Sequence, residues 1–212
     1  VLRTLAPLRE RGAFVVVADG GSGDASVDIA RPLADLVISA PRGRARQMNA
    51  GAQAALNATA AEALIFLHAD TQLPADADRL VAHALRAGAA WGRFDVRITG
   101  RSPALGLIAR TMNWRSRLTG IATGDQAIFV SRAAWRELGG YAELPLMEDI
   151  EFSQRAKRLS RPACIATPVS TSGRRWDEHG VLHTVLLMWR LRAAYWLGAD
   201  PAALARRYHD VR

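Results

Sequence analysis

The sequence predicts an α/β fold in which helices cover both faces of a mostly parallel central sheet. Helical spacing alternates with short apolar runs along the chain, which is typical of successive βα units. Runs such as 14–18 and 63–67 are apolar throughout, as expected of parallel strands buried on both faces. The 212 residues, half of them apolar, suit one domain. We therefore expect a single domain over 1–212 that ends in a tail of amphipathic helices, 180–212.

The predicted elements follow in a regular order. Leu2, Leu5 and Leu8 have the spacing of a helix, and the Val-rich run 14–18 predicts the first strand. Further helices are expected over 26–33, 45–56, 75–86, 103–118 and 148–159, and further strands over 36–38, 63–67, 91–98 and 127–130. The run 91–98 alternates polar and apolar residues, which indicates a half-exposed strand.

Charge and cysteine content limit the classes of partner. The formal charge of +8 is almost wholly arginine, because Lys157 is the only lysine. Such a charge favours an anionic partner such as a nucleotide diphosphate or an acidic lipid. Nucleic acid is not expected, since arginines and aromatic residues do not interleave and no nucleic-acid module is present. Cys164 is the only cysteine, which excludes an intrachain disulfide and Cys-based metal centres and favours a cytoplasmic setting.

The tail has a strongly apolar segment at 181–197, interrupted by Arg190 and Arg192. A spanning helix needs about 20 mostly apolar residues, so we do not predict a transmembrane segment. Two interpretations stay open. The segment is either a helix packed on the core or an interfacial helix that lies on acidic lipid at the inner face of the membrane.

Acidic and glycine residues follow the first strand, in the order Asp19-Gly20-Gly21-Ser22. In open parallel sheets, ligands bind beyond the carboxyl ends of the strands. Asp19 is suited to accept hydrogen bonds from a base or ribose, and the glycines allow the backbone to approach a ligand. The same residues also suit a tight turn in which glycine supplies a positive φ.

A basic helix start comes next, with arginines at 42, 44 and 46. Backbone N–H groups at a helix start favour anions, and arginine adds planar donors for phosphate oxygens. A solvated basic face is the alternative. Asn49 and Gly51 disfavour helix, so their presence there indicates close packing or a ligand role.

His68 and Asp70 follow the most apolar strand. Two side chains that are two residues apart on a strand end project to one side, and a carboxylate there can hold Mg²⁺ or Mn²⁺ against phosphate oxygens. A turn or cap role for Asp70 is the alternative.

Two further segments carry candidate chemistry. Either carboxylate of Glu148-Asp149 can act as a general base, although acids also stabilise a helix start without any chemistry. Arg175 can neutralise a diphosphate and Trp176 can stack on a sugar ring. A surface loop with a buried Trp is the alternative for the second segment.

In this order and spacing, the segments resemble the family 2 glycosyltransferases with the GT-A fold, specifically a small bacterial subgroup associated with radical-SAM and selenoprotein-type gene neighbourhoods. The resemblance covers nearly the whole chain. Its motifs are Asp19-Gly20-Gly21-Ser22, the run 43–51, His68-Ala69-Asp70, Thr123-Gly124-Asp125-Gln126, Met147-Glu148-Asp149 and Arg174-Arg175-Trp176.

The resemblance implies transfer of a sugar from a UDP- or GDP-linked donor to an acceptor hydroxyl, with inversion and with Mg²⁺ or Mn²⁺ as cofactor. Asp149 would be the base, supported by Glu148, and Asp70 would bind the metal beside His68. The implied donor-binding residues are Asp19, Gly20, Ser22, Arg44, Asn49, Arg175 and Trp176. The implied acceptor-side residues are Gly124, Asp125 and Gln126.

Three departures from the family pattern qualify this expectation. His68 replaces the first acid of the family's Asp-any-Asp motif, and Ser172 stands where processive relatives carry Gln, which argues against a polymerising synthase. The family's first strand is expected to precede Val1. Two other classes therefore stay open: a catalytically inert nucleotide-binding α/β protein, and a metal-dependent nucleotidyltransferase or phosphoesterase.

Overall fold

A computed structural model describes residues 1–209, and it has the predicted α/β architecture. The strands are β1 (Val16–Asp19), β2 (Leu36–Ser39), β3 (Ala63–Ile65), β4 (Thr71–Gln72), β5 (Trp91–Thr99), β6 (Phe129–Ser131) and β7 (Ala163–Ser172). The helices are α1 (Ala6–Glu10), α2 (Ser26–Ala30), α3 (Arg44–Ala58), α4 (Ala77–Arg86), α5 (Leu105–Thr119), α6 (Arg132–Leu138), α7 (Glu148–Ala156), α8 (Arg174–His179), α9 (Val181–Trp196) and α10 (Pro201–His209). Short 3₁₀ segments occupy Leu2–Leu5 and Gly124–Gln126. Residues 210–212 of the predicted tail lie outside the described range.

The strands form two sheets, and their directions correct one detail of the prediction. β1 and β2 form a parallel pair, and the larger sheet has the order β3-β6-β5-β7-β4. Within the larger sheet, β5 and β7 are parallel, whereas β3–β6, β5–β6 and β4–β7 are antiparallel. The sheet of the described chain is therefore mixed, not mostly parallel. The apolar runs indicated parallel strands because parallel strands are usually buried on both faces. Antiparallel strands can be buried in the same way, so burial did not reveal the direction of the strands.

Strand β5 is more buried than its alternating sequence predicted. Trp91, Arg93 and Phe94 are all fully buried, so the prediction of a half-exposed strand is wrong for its first half. Trp91 packs against Phe152 of α7, with ring centroids 6.3 Å apart. The Arg93 guanidinium is paired with Asp95 and donates to the Asn113 carbonyl. The polar residue Arg93 therefore does not face solvent, although the alternating pattern predicted that it would.

Two elements that the sequence analysis missed help to build the site. Helix α6 follows β6 directly, capped by the Ser131 hydroxyl, which accepts from the Ala134 amide at 3.2 Å. Strand β7 runs beside β5 despite Pro168, at a point where the pairing shifts register between Phe94 and Asp95. Proline is tolerated at such irregularities but argues against a strand in sequence analysis.

The helices of the tail, α9 and α10, each pack one face against the rest of the domain. A hydrophobic cluster joins Leu191 of α9 and Leu204 of α10 to Ile121, Leu146 and Ile150. The opposite face of α9 carries exposed large apolar side chains, which are Leu182, Leu186, Trp189 and Trp196. Among the described helices, none is both long enough and apolar enough to cross a membrane.

Candidate active site

Strand β1 ends at Asp19, and the carboxylate of Asp19 organises the turn that follows. It accepts hydrogen bonds from the Gly21 amide at 2.9 Å and from the Ser22 hydroxyl and amide at 2.5 and 3.0 Å. These bonds, with the Ser22 hydroxyl first, lower the pKa of Asp19. Gly21 has φ +89°, a conformation that glycine adopts without strain. An anionic side chain in an exposed, glycine-containing turn is therefore held at the end of the strand.

The turn is joined to the start of α3 by Gln47, which the sequence analysis did not select. The Gln47 amide nitrogen donates to the Ala18 carbonyl at 2.9 Å. A Cβ added at Gly20 would lie 2.9 Å from the Gln47 side chain, so a larger residue than glycine would displace it. The first turn of α3 is therefore fixed against β1, and Arg44 lies in that turn.

Arg44 contacts an acid that is distant in the sequence. Its Nε lies 3.0 Å from Oε1 of Glu148, whose side chain is 2% exposed. The other oxygen, Oε2, is buried and has no hydrogen-bond partner among the described residues. Burial, followed by the charge of Asp149, raises the pKa of Glu148. The pair brings the predicted donor-side arginine and the predicted acidic motif to one place.

Asp149 is the more accessible of the two acids. Its Oδ2 accepts from the Gly124 amide at 2.9 Å, and its Oδ1 accepts from the Ile150 amide at 2.8 Å. Helix α7 begins at Glu148 after Met147, which has the left-handed φ of 69°. The fold therefore offers one partly exposed carboxylate in a fixed orientation.

His68 and Asp125 lie beside this acid. The Nδ1 atom of His68 is 3.5 Å from Oδ1 of Asp125. Burial alone would lower the pKa of His68, but the hydrogen-bonding and charge of Asp125 outweigh burial and raise it. Burial would raise the pKa of Asp125, yet the interaction with His68 prevails and lowers it. A Cβ added at Gly124 would lie only 2.3 Å from Cε1 of the imidazole, so the glycine backbone lies against the ring.

Asp70 is exposed after β3. The Thr71 hydroxyl lies 3.4 Å from its carboxylate, and its backbone carbonyl accepts from the Ser172 amide at 3.2 Å. Among the side chains that the structure describes, no three from His, Cys, Asp or Glu are grouped so as to hold a metal. One open carboxylate still suits Mg²⁺ or Mn²⁺ held mainly by substrate phosphates and water. The His68 Nε2 is less suited, because it lies against Gly124.

Four other candidates make contacts within the protein. Asn49 donates to the Tyr141 carbonyl at 2.8 Å and accepts from the Tyr141 amide at 2.9 Å. Gln126 is fully buried and completes a capping box with Thr123. Trp176 packs against the core cluster around β5, and Arg175 lies over the Tyr208 ring, 4.4 Å from its centroid. These contacts give each of the four residues a structural role. Their roles in ligand binding stay predictions.

Two arginines near the site were not selected from the sequence. Burial, followed by the charge of Arg192, lowers the pKa of Arg115 to about 10, and the charge of Asp149 opposes that shift. Burial also lowers the pKa of Arg192, again opposed by Asp149 and then by Asp125. Arg192 had been noted only as an interruption of an apolar segment, and nothing in the pattern around Arg115 distinguished it.

The sheet order and the acids at its edge define an α/β protein with the GT-A fold of glycosyltransferases. The chain belongs to glycosyl transferase family 2, whose family model matches residues 1–136. The radical-SAM-associated subgroup stays a prediction. A comparison with curated proteins gave no match.

Two solved structures show what the fold is similar to. The structure of S. aureus TarS residues 1–349 superposes with a TM-score of 0.62 at 16% identity, over 81% of this chain and 55% of that one. The mannosyltransferase PcManGT from Pyrobaculum calidifontis, in complex with GDP-Man and Mn²⁺, gives a TM-score of 0.58 at 20% identity, over 97% and 59%. The chain therefore spans little more than half the length of these relatives.

Proposed function

We propose that the chain transfers a sugar from a nucleotide-diphosphate donor to an acceptor hydroxyl, with inversion at the anomeric carbon. The observation that carries the proposal is the partly exposed Asp149 carboxylate, which the Gly124 amide holds at 2.9 Å. Beside it lies the buried Glu148, which is paired with Arg44. Membership of family 2 supports the transfer, and the GDP-Man complex of a similar structure supports a nucleotide-sugar donor.

Asp149 acts as the general base in this proposal. It accepts the proton of the acceptor hydroxyl while that oxygen attacks the anomeric carbon, and the bond from this carbon to the diphosphate oxygen breaks. The Gly124 and Ile150 amides fix the orientation of the carboxylate. Glu148 is engaged with Arg44 and largely shielded from solvent, so its role is to position Arg44 and the start of α7.

The donor lies, in this proposal, across the carboxyl ends of β1 and β3. Asp19 accepts hydrogen bonds from the base or ribose, since its turn is exposed and anionic. Asp70 would hold a divalent ion at this place. A bound Mg²⁺ or Mn²⁺ supplies neutralisation of the charge that develops on the departing diphosphate. Arg175, whose charge reaches Asp125, adds positive potential on the same side.

A catalytically inert nucleotide-binding protein is the second candidate. The observation that favours it is His68, which replaces an acid of the family motif and contacts Asp125. A nucleotidyltransferase or phosphoesterase has less support, because further acids beside Asp70 would be needed and residues 1–209 contain no such group of three ligands.

The exposed face of α9 supports a cytoplasmic protein that contacts the inner face of the membrane. Leu182, Trp189 and Trp196 are 72%, 68% and 61% exposed, and Arg190 is exposed among them. Large apolar side chains with interleaved arginines suit the boundary of an acidic bilayer. The same helix buries Leu191 on the domain, so it can remain packed while its outer face meets lipid.

The test of the proposed base is Asp149→Asn, which keeps the shape of the side chain but removes the proton acceptor. We expect hydrolysis of a UDP- or GDP-sugar to fall about 10²- to 10⁴-fold, while the Kd of the nucleotide diphosphate stays nearly unchanged. Asp28→Asn is the matched control, because Asp28 is an exposed acid in the first turn of α2. Equal loss of binding and turnover in Asp149→Asn would exclude the assigned role.

A further inference from the structure

The charge of Asp149 acts on two arginines from different helices, Arg115 of α5 and Arg192 of α9. The Nε and Nη2 atoms of Arg115 are buried and have no hydrogen-bond partner within residues 1–209. Neither arginine takes part in any ion pair between described residues. Buried guanidinium N–H groups without acceptors are costly, so the fold keeps Arg115 in this position at the expense of stability.

Most carboxylates near these arginines already have another cationic partner. Asp125, whose charge acts on Arg192, lies 3.5 Å from His68. Arg93, whose charge also reaches Arg115, is paired with Asp95, and Arg117 shares the same acid at 2.7 Å. The charge of Asp149 acts on both Arg115 and Arg192. Cations therefore exceed acids on this side of the site.

Each oxygen of Asp149 accepts one hydrogen bond from a backbone amide, Oδ2 from Gly124 and Oδ1 from Ile150. The charge of Asp149 acts on both arginines, but among the described residues Asp149 forms no ion pair with either of them. A bound ligand can therefore supply the acceptors that Arg115 lacks.

We propose that Arg115 and Arg192 bind a phosphate group of a substrate beside Asp149. This inference rests on the proposed function and adds that a substrate of the reaction carries a phosphate group at this place. Guanidinium groups present planar pairs of N–H donors that match phosphate oxygens. Burial strengthens such charge-assisted bonds because solvent screens them less. A site with two arginines on separate helices also fixes the position of the phosphate relative to the base.

The phosphate has two possible sources, which share this chemistry. It is either the diphosphate of the donor, held as it departs, or an anionic group on the acceptor, held so that its hydroxyl meets Asp149. In both cases the site binds the oxygens of a phosphate group, and the two sources predict different competition with free nucleotide.

The test measures thermal unfolding of the chain in inorganic phosphate, with sodium chloride at equal ionic strength as the reference. We expect phosphate to raise the Tm of the unmodified chain, and this rise to be lost in Arg115→Gln and in Arg192→Gln. The matched controls are Arg110→Gln and Arg190→Gln, which change exposed arginines on the same two helices and should retain the rise. If one of the site variants fails to fold, the other carries the test from the opposite helix.

A rise that persists in both site variants, or that is absent from the unmodified chain, would overturn the inference. Titration of UDP and GDP in the presence of Mg²⁺, with and without saturating phosphate, then identifies the source. Displacement of the nucleotide by phosphate assigns the site to the donor diphosphate, and simultaneous binding assigns it to the acceptor. Failure of the unmodified chain to bind either nucleotide would contradict the proposed function alone, because the phosphate-dependent rise in Tm does not require a donor.

Discussion

Gly124 is expected to tolerate no larger side chain, because it connects the proposed base to His68. Its amide donates to Asp149 at 2.9 Å. A Cβ at this position would lie 2.3 Å from Cε1 and 2.4 Å from Nε2 of the imidazole. Non-bonded carbon atoms pack at about 3.5–4.0 Å, so Gly124→Ala must push the ring or the backbone away by roughly 1 Å.

Two losses follow from that displacement. Overpacking of a dense site costs about 1–3 kcal/mol of the free energy of unfolding. A shift of about 1 Å in the group that orients the base can reduce turnover roughly 100-fold. Urea unfolding measures the first loss, and hydrolysis of a UDP- or GDP-sugar measures the second. We expect both in Gly124→Ala.

Gly106→Ala is the matched control for this substitution. Gly106 lies in α5, and a Cβ there would meet nothing within 4 Å. Alanine is a better helix former than glycine, so this variant should be more stable by about 0.5–1 kcal/mol. The reasoning is refuted if Gly124→Ala unfolds at the same urea concentration as the unmodified chain and hydrolyses the donor at the same rate.

Three further predictions concern the ion pair, a structural amide and the tail. Asp125 raises the pKa of His68 above 6.5. Their pairing therefore stabilises the folded protein fully below pH 6.5, and this contribution is lost as pH rises through the raised pKa. Asp125→Asn should lower the pKa of His68 in NMR titration and remove about 0.5 kcal/mol of the free energy of unfolding at pH 6. Asn49→Ala leaves the Tyr141 amide and carbonyl without their partners and should cost about 1–3 kcal/mol in urea unfolding. Trp189→Ala should weaken sedimentation with acidic vesicles, since Trp189 is 68% exposed on α9.

Each of these has a control and a contradicting result. An unchanged pKa of His68 in Asp125→Asn would show that the two groups do not interact. Asn57→Ala removes an exposed amide near the end of α3 and should change the free energy of unfolding by less than about 0.5 kcal/mol. If Asn57→Ala costs as much as Asn49→Ala, the hydrogen bonds between Asn49 and Tyr141 do not explain the loss. Equal sedimentation with neutral and acidic vesicles would contradict an electrostatic contact of the tail.

Local pattern was enough to predict those parts of the site that depend on neighbouring residues. Strand β1 ends at Asp19 and α7 begins at Glu148, because apolar runs and helix-start acids are short-range signals. The α/β class and the GT-A fold are confirmed. The motif that contains Gly124 was also identified, although its close approach to His68 was not.

Contacts between distant residues could not be predicted in this way. Asn49 bonds to Tyr141, 92 residues away, and its position inside a helix indicated only close packing or a ligand role. Strand direction depends on the connections between strands, not on the composition of each strand, so the antiparallel pairs were missed. Arg115 stands out only because its buried donors lack partners, a property of the folded chain.

The most direct test of the central claim is calorimetric titration of GDP and UDP into the chain, with and without Mn²⁺. We expect one of the two nucleotides to bind in the presence of Mn²⁺, and Asp70→Ala to weaken that binding at least tenfold, or about 1.4 kcal/mol. Asp76→Ala, which changes another exposed acid a few residues later, should bind like the unmodified chain. Binding of neither nucleotide, with or without the metal, would contradict the assignment of this chain as a nucleotide-sugar transferase.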